Sequence, residues 1–140
     1  MVSQHGDRIL MAARKWIKTP WQHNQKCLGH GVDCVRFIEA VLKDDLGYQF
    51  DDISKYARLP DDDAILKYLQ GLHCVKEIPL TAIQPGDLLL FRIGKVPAHL
   101  GISNGQGIIH ADSHHGVIEV NNLGRWQQRL IASFRVIEQY

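Results

Sequence analysis

Cys34, His99 and His110 are residue types that could together perform nucleophilic chemistry, and their local sequence bears on whether they do. Cys34 follows Asp33, a good helix N-cap, and so takes the first helical position of the stretch Gly31–Leu46, G-V-D-C-V-R-F-I-E-A-V-L-K-D-D-L. Phe37, Ile38, Val41 and Leu42 recur at helical spacing, and Cys34 shares their inward face. A thiol at a helix start lies beside unpaired backbone N–H groups and the positive end of the helix dipole. Both favour thiolate, the nucleophilic form. On its own such a cysteine is more often just a small buried hydrophobe. The chemistry needs a base.

His99 and His110 supply one if they meet. The run A-H-L-G-I-S-N-G-Q-G-I-I-H-A holds Asn104-Gly105 between two apolar segments, a strong hairpin signal. With those two residues as the whole turn, Ser103 opposes Gln106, Gly101 opposes Ile108, and His99 opposes His110. Opposed residues share a sheet face, so one imidazole could orient and polarise the other, the base-plus-orienter logic of a nucleophilic triad. A one-residue slip would break that pairing. The plain alternative is a pair of partly buried, hydrogen-bonded strand histidines.

The elements that must position these groups read as helices first and strands afterwards. Asp7–Lys18 is an amphipathic helix ended by Thr19-Pro20, and Trp21–Val32 is an irregular loop leading to the Cys34 helix, which Gly47 stops. An acidic irregular segment runs to Asp52. Pro60-Asp61-Asp62-Asp63 then opens a third helix that ends at Leu69. Strands follow over Val75–Ile83, with its exit, then Leu88–Phe91, Ala98–Ser103, Gln106–Ala111, Val117–Asn121 and Leu130–Ile137. That order predicts an α+β fold with an antiparallel sheet, residues 1–140 forming one domain.

Composition excludes several classes. Sixteen Lys+Arg against fifteen Asp+Glu give a net charge of +1 with no basic block, so nothing favours nucleic acid. No apolar run is long enough to span a membrane, and M-V-S-Q-H-G-D-R lacks the layout of a signal peptide. Cys27, Cys34 and Cys74 cannot all pair, so reduced thiols are expected. Cys27 reads as a loop thiol and Cys74 as core. Trp16 and Trp126 read as packing residues. Eight histidines raise a metal-binding rival, from Cys27 and His30 or from His110, Asp112, His114 and His115. Cys27-x-x-His30 has no matching second pair, and His114-His115 looks like a solvated turn.

G-V-D-C opening a helix, Q-P-G-D-L-L-L-F, A-H-L-G-I and I-I-H-A, in this order, resemble the NlpC/p60 cysteine peptidases from Thr19-Pro20 to about Val120. The resemblance implies a papain-like fold, with N-terminal helices and the nucleophile helix packed on a five- to six-stranded antiparallel sheet. It implies hydrolysis of amide bonds in the stem peptides of bacterial peptidoglycan, with no cofactor or metal. Residue by residue, it makes Cys34 the nucleophile, His99 the base and His110 the group that orients it. The Cys34 backbone N–H becomes one oxyanion donor.

The chain departs from the family pattern in places. D-C-S-G is usual, whereas Val35 and Arg36 follow Cys34 here, and Arg36 either supports the thiolate charge or lies on the solvent face. The family's loop tyrosine is matched by Trp21, which offers only an indole N–H, with His23 as the nearest other polar group. Trp21, His23, Asp33 and Arg36 are thus the expected supporting residues. The T-P-W-Q-H loop and the length resemble members encoded in phage tail and gene-transfer-agent clusters, which implies delivery to the wall by a particle. Two rivals keep the fold: a catalytically silent wall-binding or tail structural module, and a related Cys–His amidase or acyltransferase.

Overall fold

The computed structural model describes residues 4–57 and 59–137, and the Cys34 helix with the strands beyond it forms its frame. Helix α1 spans Gln4–Arg14, a little earlier than Asp7–Lys18, and buries Ile9, Leu10, Ala12 and Ala13. The segment expected to be irregular contains a two-rung ribbon, β1 (Lys26–Cys27) and β2 (Gly31–Val32), with Lys26 opposite Val32. Helix α2 (Cys34–Glu39) starts at the Asp33 cap, widens into a π-helical turn over Ala40–Asp45, and stops at Gly47, whose φ of 80° suits glycine.

A one-turn helix, α3 (Ile53–Tyr56), follows the acidic segment and was not foreseen. Helix α4 occupies Ala64–Gly71, so Pro60–Asp63 precede it instead of forming its first turn. Strands β3 (Val75–Ile78), β4 (Leu88–Ile93), β5 (Val96–Ser103), β6 (Ile108–Asp112), β7 (Gly116–Val120) and β8 (Leu130–Val136) build one antiparallel sheet in the order β3-β8-β4-β5-β6-β7. The expected α+β architecture, with N-terminal helices and a six-stranded antiparallel sheet, is the observed one.

The sheet has two apolar faces. On one, Leu88, Leu90, Leu100, Ile102 and Phe134 pack against Ile9 and Ala13 of α1 and Phe37, Ile38, Val41 and Leu42 of the α2 helix. On the other, Leu89, Phe91 and Ile108 lie under Trp126 and Leu130. Trp126 belongs to a 3₁₀ turn, Gly124–Arg129, in the connection from β7 to β8. Because β7 is the sheet's edge and β8 lies beyond β4, that connection must cross the faces of β6, β5 and β4.

The β5–β6 hairpin corrects the expected register. Ser103 pairs with Ile108 and Ile102 with Ile109, so Asn104–Gly107 form a four-residue loop, not a two-residue turn. The Asn104 side chain makes the longer loop. Its Oδ1 accepts from the N–H groups of Gln106 (3.0 Å) and Gly107 (2.6 Å), and Gly105 has φ of 96°. The partner of Ser103 thereby moves from residue 106 to residue 108. A shift of two preserves the face on which each side chain lies, whereas a shift of one would reverse it. His99 and His110 therefore still share a face, as diagonal instead of direct neighbours.

Candidate active site

Asp33 fixes the start of α2 twice over. Its Oδ1 accepts from the Arg36 N–H at 2.8 Å, and its Oδ2 accepts from the Asn24 N–H at 2.6 Å, tying the preceding loop to the helix. Replacing a capping carboxylate by alanine costs about 1–2 kcal/mol. Asp33→Ala is accordingly expected to lower stability by that amount in denaturant titration, with the slope unchanged.

The thiol of Cys34 reaches the edge of β5. Its Sγ–H donates to the Ala98 carbonyl at 3.7 Å, and the Leu100 N–H acts on the same sulfur. Ser103 turns both its N–H and its carbonyl toward the Gly86–Asp87 side, so by alternation Ala98 and Leu100 turn theirs toward β6. Among the described residues, β6 pairs with β5 only at Ile102 and Ser103. Beyond that point the strands part, and the sulfur occupies the rung β6 has vacated.

The imidazoles come from the opposite face. His99 stands opposite Phe91 on β4 and lies with it on the Trp126 side of the sheet. Its Nε2 is 2.7 Å from Nδ1 of His110, with the rings nearly perpendicular at 85°, and both residues are buried. Nδ1 of His99 is thus left outside that contact. Among the described residues no hydrogen bond joins the Cys34 sulfur to His99, because the thiol proton is given to Ala98.

Desolvation dominates the protonation of all three groups. Burial pushes the Cys34 thiol up to about 11, against the pull of the Leu100, Val35 and Cys34 backbone N–H groups. The expectation that the helix start would favour thiolate is therefore overturned in this resting arrangement, where the lost hydration outweighs the backbone donors. Burial, then the neighbouring His110, bring His99 down to about 3, opposed by Asp112. Burial lowers His110 as well, again opposed by Asp112. Thiol and imidazoles are all neutral. Transfer of the proton from Sγ to His99 would create two opposite charges, and each would offset the other's desolvation once the two groups meet.

The supporting residues divide. Trp21, His23, Asn24, Asp33 and Cys34 line a cavity of about 240 Å³ that is closed on its other side by Ser54, Ala57 and Ala98. Trp21 is held there by a parallel bridge to Val32. Arg36 takes neither expected role. Its Nη1 contacts Oε1 of Glu39 at 2.9 Å and Oδ2 of Asp52 at 3.5 Å, so its charge is spent on carboxylates away from the sulfur. The fully buried Glu39 in turn accepts from the Ser54 N–H at 2.8 Å, which anchors α3 as a wall of the cavity. No signal in the sequence marked Ser54 or Ala57. Trp126, expected to be packing alone, stacks on His99 with centroids 4.3 Å apart and planes 16° from parallel.

Among the described residues, no three His, Cys, Asp or Glu gather as a metal site. Cys27 is exposed, its carbonyl accepting from the His30 N–H to close the ribbon turn. His115 Nδ1 lies 2.6 Å from the Asp112 carboxylate in an exposed turn. No described helix is long and apolar enough to cross a membrane.

The fold and site define an α+β protein whose cysteine-bearing helix start abuts an antiparallel sheet carrying a histidine pair. Residues 17–135 match the NlpC/P60 family, and the chain belongs to it. Solved structures agree in fold. A protein from Staphylococcus aureus described as similar to lipoprotein, NLP/P60 family, superposes with a TM-score of 0.69 at 22% identity, over 99% of this chain and 43% of that one. The chain thus spans less than half of that protein. The NlpC/p60 domain of the peptidoglycan hydrolase SagA gives 0.66 at 21% identity, covering 96% of this chain and 98% of that one. An N-acetylmuramoyl-L-alanine amidase from Bacteroides uniformis gives 0.65 at 14%, covering 97% and 100%. No curated protein matches the sequence.

Proposed function

We propose that the protein is a cysteine peptidase that hydrolyses amide bonds in peptidoglycan stem peptides, using Cys34, His99 and His110. The observation that carries this reading is the buried 2.7 Å contact between His99 Nε2 and His110 Nδ1, one residue along the strand from the carbonyl that holds the Cys34 thiol. Family membership supports a hydrolase, and the wall as substrate is supported by the neighbour named a peptidoglycan hydrolase.

For Nδ1 of His99 to take the thiol proton, its own N–H must be on Nε2 and be donated to His110 Nδ1. Substrate entering the cavity beside Trp21 would draw the sulfur from Ala98 toward His99 and the carbonyl carbon. The thiol proton passes to His99 as the S–C bond forms. The carbonyl oxygen then bears the negative charge, and the backbone N–H of Cys34 at the helix start is placed to donate to it. Collapse breaks the C–N bond, with the His99 proton going to the leaving amine. Water, deprotonated by His99, then cleaves the thioester and restores the thiol.

One observation favours a rival. The thiol donates to Ala98 and is held neutral, as a silent wall-binding module would also show. Digestion of purified muropeptides, read by mass spectrometry, separates the two. Wild type is expected to release stem-peptide fragments in the presence of chelator, and Cys34→Ala to release none. Loss of the whole stem from the glycan would instead identify an amidase. Intact muropeptides with wild type, together with a Cys34 that resists alkylation at neutral pH, would reject the peptidase. For delivery, the T-P-W-Q-H loop is the feature that favours a phage-like particle.

A further inference from the structure

We propose that Trp126 is a positioning residue for His99, its indole face fixing the imidazole plane and keeping water from the His99–His110 pair. This rests on the reading of His99 as the general base.

The contact is specific in geometry. The indole stacks on His99 at 4.3 Å and 16°, and meets His110 edge-on at 5.8 Å and 84°. Phe91 holds the indole from the side, at 5.4 Å and 64°. The guanidinium of Arg129, three residues along the same 3₁₀ turn, lies 5.1 Å from the indole centroid. One indole thus touches both imidazoles.

A histidine's χ2 is a soft, roughly two-fold torsion. Turning the His99 ring over would carry Nε2 away from His110, and a strand backbone does nothing to prevent it. To turn over, the ring must pass through an orientation perpendicular to its present plane, which an indole face at stacking distance blocks. The hydrogen bond to His110 fixes which edge of the ring points inward, and the stack fixes its plane. Together they hold the ring with Nε2 on His110 and leave Nδ1 outside that contact.

The indole is also the cover. His99 and His110 are 5% and 2% exposed although they lie on the face of the sheet away from the helices. The titratable groups acting on His99 are His110 and Asp112, both from β6. Arg129 lies against the indole. Removal of the indole would admit water to the imidazoles with these charges otherwise unchanged.

The test compares Trp126→Phe, which keeps a ring face, with Trp126→Leu, which keeps apolar bulk without one. Should the leucine variant fail to fold, Trp126→Met takes its place. In the full chain, ring-nitrogen NMR titration follows His99 and His110, and iodoacetamide alkylation of Cys34 is followed against pH. Trp126→Leu is expected to raise the His99 midpoint by about one unit or more toward its ordinary value, as burial is relieved. It is also expected to slow alkylation at neutral pH by roughly tenfold and lower kcat similarly with KM little changed, as a misaligned base would. Trp126→Phe should stay within about threefold of wild type. A leucine variant that loses only thermal stability, with both midpoints and the alkylation rate unmoved, would overturn the proposal. So would a phenylalanine variant as impaired as leucine. If wild type cleaves no stem peptide but the leucine variant still moves the His99 midpoint, the positioning role stands and the peptidase reading alone falls.

Discussion

His99→Ala is expected to reduce stem-peptide cleavage by roughly 10³-fold, Cys34→Ala to abolish covalent catalysis, and the double variant to be no slower than Cys34→Ala alone. The first figure follows from what a positioned general base contributes, about 10²–10⁴-fold. The lack of further loss follows from the arrangement. His99 acts on substrate only through the Cys34 proton, so once the sulfur is gone the base has nothing to activate. The neutral resting state sharpens this. A thiol pushed up to about 11 is essentially never thiolate at neutral pH unless His99 takes its proton during attack. Steady-state kcat/KM for the three variants checks the result. Losses that multiply in the double variant would show that Cys34 and His99 act independently and would remove the triad. His110→Asn, which keeps a polar partner for His99 Nε2, is expected to lie between wild type and His99→Ala. Cys34→Ala should move the melting temperature by no more than a few degrees, whereas His99→Ala empties a buried site beneath Trp126 and should lower it further.

The parts of the site set by local chemistry were legible in the sequence. Asp33 before an apolar helical stripe specifies where α2 begins, and the cap bond to Arg36 is what that pattern requires. The coming together of His99 and His110 was legible for a less local reason. The hairpin register differs by two from that of a two-residue Asn-Gly turn, because the Asn104 side chain supports a four-residue loop, yet a period of two leaves the face unchanged.

What the sequence hid depends on distant elements. Thiolate was expected from the helix start, but the sulfur's hydration is removed by β5, which is 64 residues away in the chain. Arg36 lies next to Cys34 on the helix, and only the return of Asp52 and the burial of Glu39 decide where its charge goes. Trp126 sits among Gly124, Arg125 and Gln127, a polar surrounding that gives no sign of a buried ring face. Its place over His99 follows from strand order. A chain leaving the β7 edge for β8 has to pass over β6, β5 and β4, and neighbouring strands in sequence do not reveal that crossing.

The same burial that keeps the histidines neutral should make the fold acid-labile well above the range in which carboxylates titrate. His99 binds its proton at about 3 when folded, against about 6.5 in an unfolded chain. Between those values the unfolded state holds a proton that the folded state does not, so unfolding free energy rises with pH across that window. Stability from this group is fully present above about pH 6.5 and is lost as pH falls, reaching about 5 kcal/mol at the lower end. His110 acts in the same direction, since burial lowers it too. The carboxylates Asp112 and Glu119 are also held below their ordinary values. Asp112 is hydrogen-bonded by His115, and Glu119 by Arg14 and Asn104, so their contribution disappears only below about pH 4. Denaturant titrations at pH 7 and pH 5 therefore isolate the histidines. A loss of about 2 kcal/mol from His99 alone is expected over that interval. His99→Gln, which cannot take up the proton, should remove about one proton's worth of this dependence. A wild-type protein equally stable at both values would show that the pair is hydrated and titrates as in the unfolded chain, and one more stable at pH 5 would show that it is already charged. Either state would remove the need for Cys34 and His99 to generate their charges together during attack.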